Sequence, residues 1–233
     1  MSASIVAQVQ PLEMSIPGGK PAPVAQRLEH TGTDGRRETP GHGFLLVVSG
    51  PSGAGKGTLV THLIEQRADC VFSVSATTRA RRSTEAEGRE YLFLTREEFE
   101  LRRDAGFFLE TAEVHGNLYG TPVEQVDSQV RSGKVVVLDV DVQGGASVRR
   151  VRPDAVSVFV YPPSLDSLRA RLESRATDSP EVIEQRMHNA PGELAQWVHY
   201  DYVIMNEHLE RAQAELLAVH DAEHARVHRL RVT

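Results

Sequence analysis

Cysteine, aromatic residues and long apolar runs are scarce in this chain of 233 residues. Its one cysteine, Cys70, excludes an internal disulfide and is typical of a reducing compartment. No apolar run approaches the ~20 residues that a membrane-spanning helix needs, nor does one resemble a secretory signal. We therefore expect a cytoplasmic protein without a membrane partner.

Basic residues are not in excess either, since the formal net charge is −6. A sequence-independent nucleic-acid binder is normally basic, so the charge argues against a nucleic-acid partner. With 40% hydrophobic and 25% charged residues, the composition is that of a globular protein large enough to bury a full core.

Residues 1–42 differ from the rest of the chain. Prolines at positions 11, 17, 21, 23 and 40 leave no sustained periodicity, which predicts a disordered N-terminal extension. A transit peptide is the alternative for this segment. We expect residues 43–233 to form one domain.

From residue 44 the chain alternates between strand and helix patterns. Strands are predicted at 44–49, 71–75, 91–94, 107–114, 135–138, 155–160 and 202–205. Helices are predicted at 56–67, after a capping box at Thr95, from Thr121-Pro122, around Leu165–Leu172, after Ser179-Pro180 and from Leu209. This order predicts an α/β fold of three layers, with a parallel sheet covered by helices on both faces. Residues 79–131 should form an inserted α+β subdomain, between core segments 43–78 and 132–233.

A glycine-rich turn lies between the first predicted strand and helix. It comprises Gly50, Pro51, Ser52, Gly53, Ala54, Gly55, Lys56, Gly57 and Thr58. Glycines let successive backbone amides face one concavity, the helix start adds its positive dipole end, and Lys56 supplies a charge for the outer phosphates. Because both flanking elements fit, the turn predicts a nucleotide-binding phosphate loop. Gly57 stands where Ser or Thr usually follows the lysine, and Thr58 comes one place later.

Two carboxylates follow the apolar run 135–138. Asp139 ends a predicted buried strand beside the phosphate loop, where a carboxylate can hold Mg²⁺. Asp141 would point to the same side if the strand continued. Both could instead simply solvate a strand end.

Arginines and hydroxyls recur in two regions. Ser75 to Arg82 combines them at the end of a strand, which suits an anion, although a solvated loop is the alternative. Arg171 and Arg175 lie on one helix face and Arg186 follows on the next helix, so they could close over a phosphoryl group or face solvent. His220, His224 and His228 recur every four residues; metal binding is possible, but an exposed polar face is the expectation. Trp197 and Tyr200 are expected in the core.

Together these residues resemble guanylate kinases over residues 44–217. Four dispersed motifs carry the resemblance, namely Ser73–Arg79, Arg82–Tyr91, Phe108–Glu110 with Gly116–Thr121, and Leu138–Gly144. The resemblance implies ATP + GMP → ADP + GDP with Mg²⁺, and ATP and GMP, with dGMP undecided, as small-molecule partners.

The resemblance also implies roles for individual residues. Ser75, Arg79, Arg82, Tyr91 and Tyr119 would hold the GMP phosphate. Glu110, Thr121 and Asp141 would read the guanine edge. Lys56, Arg171, Arg175 and Arg186 would be catalytic within a lid at about 171–187, Asn206 would lie near the adenine, and Asp139 and Thr58 would hold the metal.

Several positions depart from the family pattern. They are Gly57, Arg81, Thr84, Glu87, Ala176 and Asp178. None removes a charged catalytic group, so they bear on lid flexibility and rate more than on reaction type. Two other functions remain open, a nucleoside monophosphate kinase with another acceptor base and a binding module that has lost catalysis.

Overall fold

The computed structural model describes residues 43–83, 85–89, 91–114, 116–174, 179–226 and 229. The predicted extension 1–42 lies outside these ranges, as do Thr84, Arg175, Ala176, Asp178 and His228. Within the described ranges, no helix combines the length and apolar character needed to cross a bilayer.

Nine strands and seven α-helices make up the described fold. The strands are β1 (Leu45–Ser49), β2 (Cys70–Phe72), β3 (Ser75–Thr77), β4 (Tyr91–Phe93), β5 (Phe108–Val114), β6 (Asn117–Pro122), β7 (Val135–Asp139), β8 (Val156–Tyr161) and β9 (Tyr202–Met205). The helices are α1 (Lys56–Gln66), α2 (Arg96–Asp104), α3 (Val123–Arg131), α4 (Val142–Val151), α5 (Leu165–Ser174), α6 (Pro180–Leu194) and α7 (Leu209–His224). A 3₁₀ helix spans Ala195–His199.

The main sheet has five parallel strands in the order β2-β7-β1-β8-β9. Every residue of the central strand β1 is buried, because helices cover both faces of the sheet. A strand buried on both faces needs apolar side chains on both, which explains the continuous apolar run. Leu46 and Val48 pack with residues of α1 and α7, whereas Leu45 and Val47 pack with residues of α3 and α4. The predicted three-layer α/β/α fold with a parallel sheet is confirmed.

A second sheet, in the order β4-β3-β6-β5, lies between residues 75 and 122 of the chain. It packs on α2 through a small core of Ala76, Phe99 and Leu118. Helix α2 begins with the predicted capping box, in which the Thr95 hydroxyl accepts from the Glu98 amide and the Glu98 carboxylate accepts from the Thr95 amide. Two donors at the helix start are thus satisfied.

Two local predictions were wrong. The single strand expected over 71–75 is two strands, β2 in the main sheet and β3 in the small one. The strand carrying Asp139 does not continue to Asp141, whose side chain instead caps α4 by accepting from the Gly144 amide at 2.7 Å. The helix expected from Thr121-Pro122 is present, since α3 begins at Val123 with Pro122 as its N-cap, although both residues also end β6.

The expectations for three ring-bearing residues were also wrong. Trp197 is 46% exposed rather than in the core, whereas Tyr200 does pack on Phe159. His220 and His224 are buried, not on an exposed polar face, because both face the Asp69 carboxylate.

Candidate active site

The phosphate loop between β1 and α1 depends on its glycines. Gly50, Gly53 and Gly55 all have positive φ, a conformation that other residues adopt only at a cost. A side chain at Gly50 would also lie 2.5 Å from the Val160 carbonyl oxygen, and one at Gly55 would lie 2.3 Å from Asn206 Nδ2. The loop therefore cannot tolerate a larger residue at either position.

Lys56 folds back over this loop from the first turn of α1. Its Nζ donates to the Gly50 carbonyl at 2.8 Å and to the Pro51 carbonyl at 3.2 Å. The ammonium is thus held over the concavity formed by the loop amides at the helix N-terminus, where an anion is favoured.

Arg171 and Asn206 brace the loop from the other side. Arg171 donates to the Ala54 carbonyl at 3.3 Å and to the Asn206 carbonyl at 2.8 Å. The buried Asn206 side chain donates to the same Ala54 carbonyl at 2.7 Å. These bonds join α5, the end of β9 and the phosphate loop into one rigid unit.

Arg186 approaches the loop from α6, and its guanidinium donates to Ser52 Oγ at 2.6 Å. Two of the three arginines predicted for the lid therefore contact the phosphate loop directly. The third, Arg175, lies outside the described residues.

Asp139 ends β7 and pairs in register with Val48 of β1. Its Oδ2 lies 3.4 Å from the position that a side chain at Gly57 would occupy, so the carboxylate faces the first turn of α1. Thr58 is exposed one residue farther along that turn. Carboxylate and hydroxyl oxygens beside a phosphate loop form a donor set of the kind that suits Mg²⁺.

Arginine and tyrosine side chains meet on the small sheet. Ser75 pairs with Tyr91 in register, and the rings of Tyr91 and Tyr119 lie 6.0 Å apart. The Arg79 guanidinium lies 5.4 Å from the centre of the Tyr91 ring. Ser75, Arg79, Tyr91 and Tyr119 thus line one surface, which we call the arginine–tyrosine pocket.

Glu85 anchors the turn beside this pocket, a role that no motif in the sequence indicates. Its carboxylate pairs with Arg79 at 2.7 Å and accepts from the Arg82 amide at 2.8 Å. The hydrogen bond from Arg79 holds the pKa of the Glu85 carboxyl below its usual range. The signal available in the sequence was the first acid after the arginines at 79, 81 and 82.

A second pocket, the carboxylate pocket, contains Glu110, Thr121 and Asp141. The Thr121 hydroxyl donates to Glu110 Oε1 at 2.7 Å in a buried contact. A side chain at Gly144 would lie 3.3 Å from Asp141 Oδ1 and 3.5 Å from Glu110 Oε2, so the two carboxylates flank that glycine. Burial raises the pKa of Glu110, the Thr121 hydrogen bond opposes the rise, and the Asp141 charge adds to it.

Glu193 is a further residue that the sequence analysis missed. It lines a cavity of about 600 Å³ together with Asp141 and His188. Burial raises the pKa of Glu193, the Asp141 charge adds to the rise, and the charges of Lys56 and Arg186 oppose it. Its spacing of seven residues from Arg186 places both on one face of α6, which is the signal that the sequence carried.

Comparisons with known proteins agree on one family. A family model described as guanylate kinase matches residues 43–223. A guanylate kinase of Symbiobacterium thermophilum is 50% identical over 184 residues, covering 79% of this chain and 87% of the relative. One of Rubrobacter xylanophilus is 48% identical, covering 76% of this chain and 93% of the relative. Among solved structures, the guanylate kinase of Anaplasma phagocytophilum matches with a TM-score of 0.62 and 35% identity, covering 80% of this chain and 89% of that one.

Proposed function

Because the chain belongs to the guanylate kinase family and catalyses ATP-dependent phosphorylation of GMP to GDP, we propose that its phosphate loop binds ATP and that its two further pockets bind GMP. ATP phosphates would accept from the loop amides, and Lys56 would exchange its bonds to Gly50 and Pro51 for bonds to phosphate oxygens. The adenine would lie near Asn206, whose side chain supports the loop by donating to the Ala54 carbonyl.

The arginine–tyrosine pocket takes the GMP phosphate. Arg79 provides a planar pair of donors for phosphate, and Ser75, Tyr91 and Tyr119 add hydroxyl donors around it. Arg82 completes the set from the turn that Glu85 fastens. This acceptor phosphate is already an anionic nucleophile, so no general base is required.

The carboxylate pocket reads the base. Glu110 and Asp141 can accept from the N1–H and exocyclic amine of guanine. The Thr121 hydroxyl has one proton, which it donates to Glu110 in the free protein, and it can turn that proton to O6 once guanine N–H groups bind the carboxylates. Adenine presents the opposite pattern at these positions, so it would leave buried polar groups unpaired. The observation that carries the assignment is the buried Glu110–Thr121 pair beside Asp141.

The remaining charged groups serve phosphoryl transfer, which asks mainly for alignment and neutralisation of charge. Arg171, Arg175 and Arg186 would cover the transferred group together with Lys56. Asp139 and Thr58 would hold Mg²⁺, which when bound neutralises charge on the donor phosphates. We also propose a cytoplasmic location, which the single cysteine supports because it is typical of a reducing compartment.

A coupled assay of ADP release tests this division of roles. With ATP and Mg²⁺, we expect turnover with GMP and far less with AMP, CMP or UMP. The same assay with dGMP shows whether the acceptor site tolerates a deoxyribose. Turnover with another base would keep the phosphate loop and overturn the carboxylate-pocket assignment. Folded protein that binds GMP without turnover would instead indicate a binding module.

The metal assignment has its own measurement. Excess EDTA should abolish turnover, and Asp139→Asn should raise the Mg²⁺ concentration required for half-maximal rate. An unchanged Mg²⁺ requirement in Asp139→Asn would overturn the role of Asp139.

A further inference from the structure

A second group of reactive side chains lies at the other end of the main sheet from the phosphate loop. Asp69 and Cys70 stand at the start of β2, and Cys70 pairs with Val135, the first residue of β7. The phosphate loop follows the last residue of β1. Since parallel strands of five residues span about 16 Å, this group is remote from the nucleotide site.

Helix α7 brings two histidines to these residues. His220 Nε2 lies 3.1 Å from Asp69 Oδ2, and His224 Nε2 lies 2.8 Å from the same oxygen. Donor atoms of Asp69, Cys70 and His220 all lie within 4.8 Å of one another. Tetrahedral Zn²⁺ with bonds of about 2.0–2.3 Å separates its ligand atoms by about 3.3–3.8 Å. These three donors are therefore within a small side-chain adjustment of that geometry. His224 lies outside the group of three, but its contact with the same Asp69 oxygen makes it the candidate fourth ligand.

Three of the four donors are shielded from solvent, and the Asp69 side chain is 34% exposed. Cys70, His220 and His224 are 4%, 3% and 6% exposed, and the Phe44 ring packs on both imidazoles at 6.3 and 5.2 Å. Histidines four residues apart on one helix face are a known arrangement for binding Zn²⁺. Thiolate, imidazole and carboxylate are its preferred ligands.

His220 has a carboxylate at each ring nitrogen, because its Nδ1 lies 3.0 Å from Asp221 Oδ1. A neutral imidazole has one N–H and can donate to only one of them. If Nε2 binds a metal, however, Nδ1–H is free to donate to Asp221. A carboxylate that orients a histidine in this way is the usual outer partner of a zinc ligand.

We propose that Asp69, Cys70, His220 and His224 form a Zn²⁺ site that fastens helix α7 to the start of β2. The ion would take the place of the hydrogen bonds between the two imidazoles and the Asp69 oxygen, and it would also bind the buried Cys70 thiolate. Its role is structural, because all four ligand positions come from the protein and none is open to substrate.

Metal titration of the full chain, freed of metal by a chelator, tests the proposal. We expect one Co²⁺ per chain, with the intense visible bands of a tetrahedral site and a thiolate charge-transfer band, and displacement by Zn²⁺. Cys70→Ser should lose the charge-transfer band. Zn²⁺ should raise the midpoint of thermal unfolding, with kinase activity unchanged in Cys70→Ser.

Asp221→Asn gives a sharper variant, because Asp221 is exposed. It also removes the ion pair of Asp221 with Arg67 at 2.8 Å, but a surface ion pair contributes little to stability, so the variant should still fold. It should weaken Zn²⁺ binding about 10- to 100-fold, whereas the exposed control His199→Ala should not. A weak octahedral Co²⁺ spectrum that is unchanged in Cys70→Ser would overturn the proposal. So would Zn²⁺ binding that is equal in Asp221→Asn and in the control, and the group would then be a hydrogen-bonded anchor only.

Discussion

At the scale of single residues, the buried carboxyl of Glu110 lowers the stability of the fold while it serves the proposed function. Burial and the Asp141 charge raise its pKa in spite of the Thr121 hydrogen bond. The native protein therefore keeps this proton to a higher pH than the unfolded chain does. As pH rises from the ordinary pKa of glutamate through the raised one, the native state loses relative stability, and the loss is complete above the raised pKa.

Glu110→Gln should therefore stabilise the protein without nucleotide while damaging its activity. We expect a higher unfolding midpoint at neutral pH and no gain at pH values below the ordinary pKa of glutamate. For GMP, kcat/KM should fall about 10- to 100-fold, since a buried polar group loses its partner. Calorimetry across pH and steady-state kinetics give both quantities. A stability difference independent of pH, or equal losses in GMP and ATP affinity, would contradict the assignment.

Lys56 should be needed for chemistry but not for folding. Its ammonium is only half-buried and bonds to two loop carbonyls. Lys56→Ala should lower kcat at least about 100-fold with an unchanged circular dichroism spectrum. Full turnover by a folded variant would exclude the proposed role.

At the scale of elements, the turn between β3 and β4 depends on one carboxylate. Glu85 bonds to the Arg79 side chain and to the Arg82 backbone. It therefore fixes the Arg79 guanidinium and the backbone at Arg82 before a ligand binds, which reduces the conformational entropy lost on binding.

Glu85→Gln should raise the KM for GMP several-fold and leave the KM for ATP unchanged. Glu97→Gln, an exposed change in α2, is the matched control. Steady-state kinetics with each substrate varied in turn measures both constants. Equal KM values in Glu85→Gln and the control would show that Arg79 needs no anchor.

The start of α2 illustrates how a local signal fixes an element. Thr95→Ala removes the hydroxyl that accepts from the Glu98 amide, so the free energy of unfolding should fall by about 1 kcal/mol. Chemical denaturation measures it. Thr61→Ala, at an exposed position inside α1, is the control and should cause no comparable loss.

At the scale of the whole molecule, the main sheet was predictable because its strands are short runs of apolar residues buried on both faces. Strand β6 was missed because Gly120, Thr121 and Pro122 resemble a turn. Helix α4 was missed because Gly144 and Gly145 lower its helix propensity. In both elements tertiary contacts decide the conformation.

The candidate site was predictable in its charged residues and not in its supports. Lys56 opens α1, Asp139 ends β7 and Glu110 lies within β5, and a motif can specify each of these positions. Glu85 and Glu193 act through side-chain contacts in the folded protein, which their positions in the sequence do not specify. Likewise, the spacing of His220 and His224 shows that they share a helix face, but only the fold places Asp69 against it.

Catalysis should require the donor and acceptor sites to be occupied together, because closure must exclude water. A bisubstrate analogue that joins adenosine to guanosine through phosphates should raise the unfolding midpoint more than ATP and GMP raise it separately. Differential scanning fluorimetry measures the shifts. In Lys56→Ala, the extra rise in unfolding midpoint caused by the analogue should be smaller. If the analogue raised the midpoint of the unchanged protein no more than ATP alone does, joint occupancy would be contradicted.

Strands β3 and β6 are antiparallel neighbours, with Ala76 opposite Gly120. The polypeptide therefore enters and leaves the small sheet at adjacent points, and one contiguous segment carries Glu110, Thr121 and the arginine–tyrosine pocket. Of the residues proposed to read the base, only Asp141 lies outside it. A new acceptor preference could thus arise by recombination of this segment between related genes, while the phosphate loop and its braces are inherited unchanged.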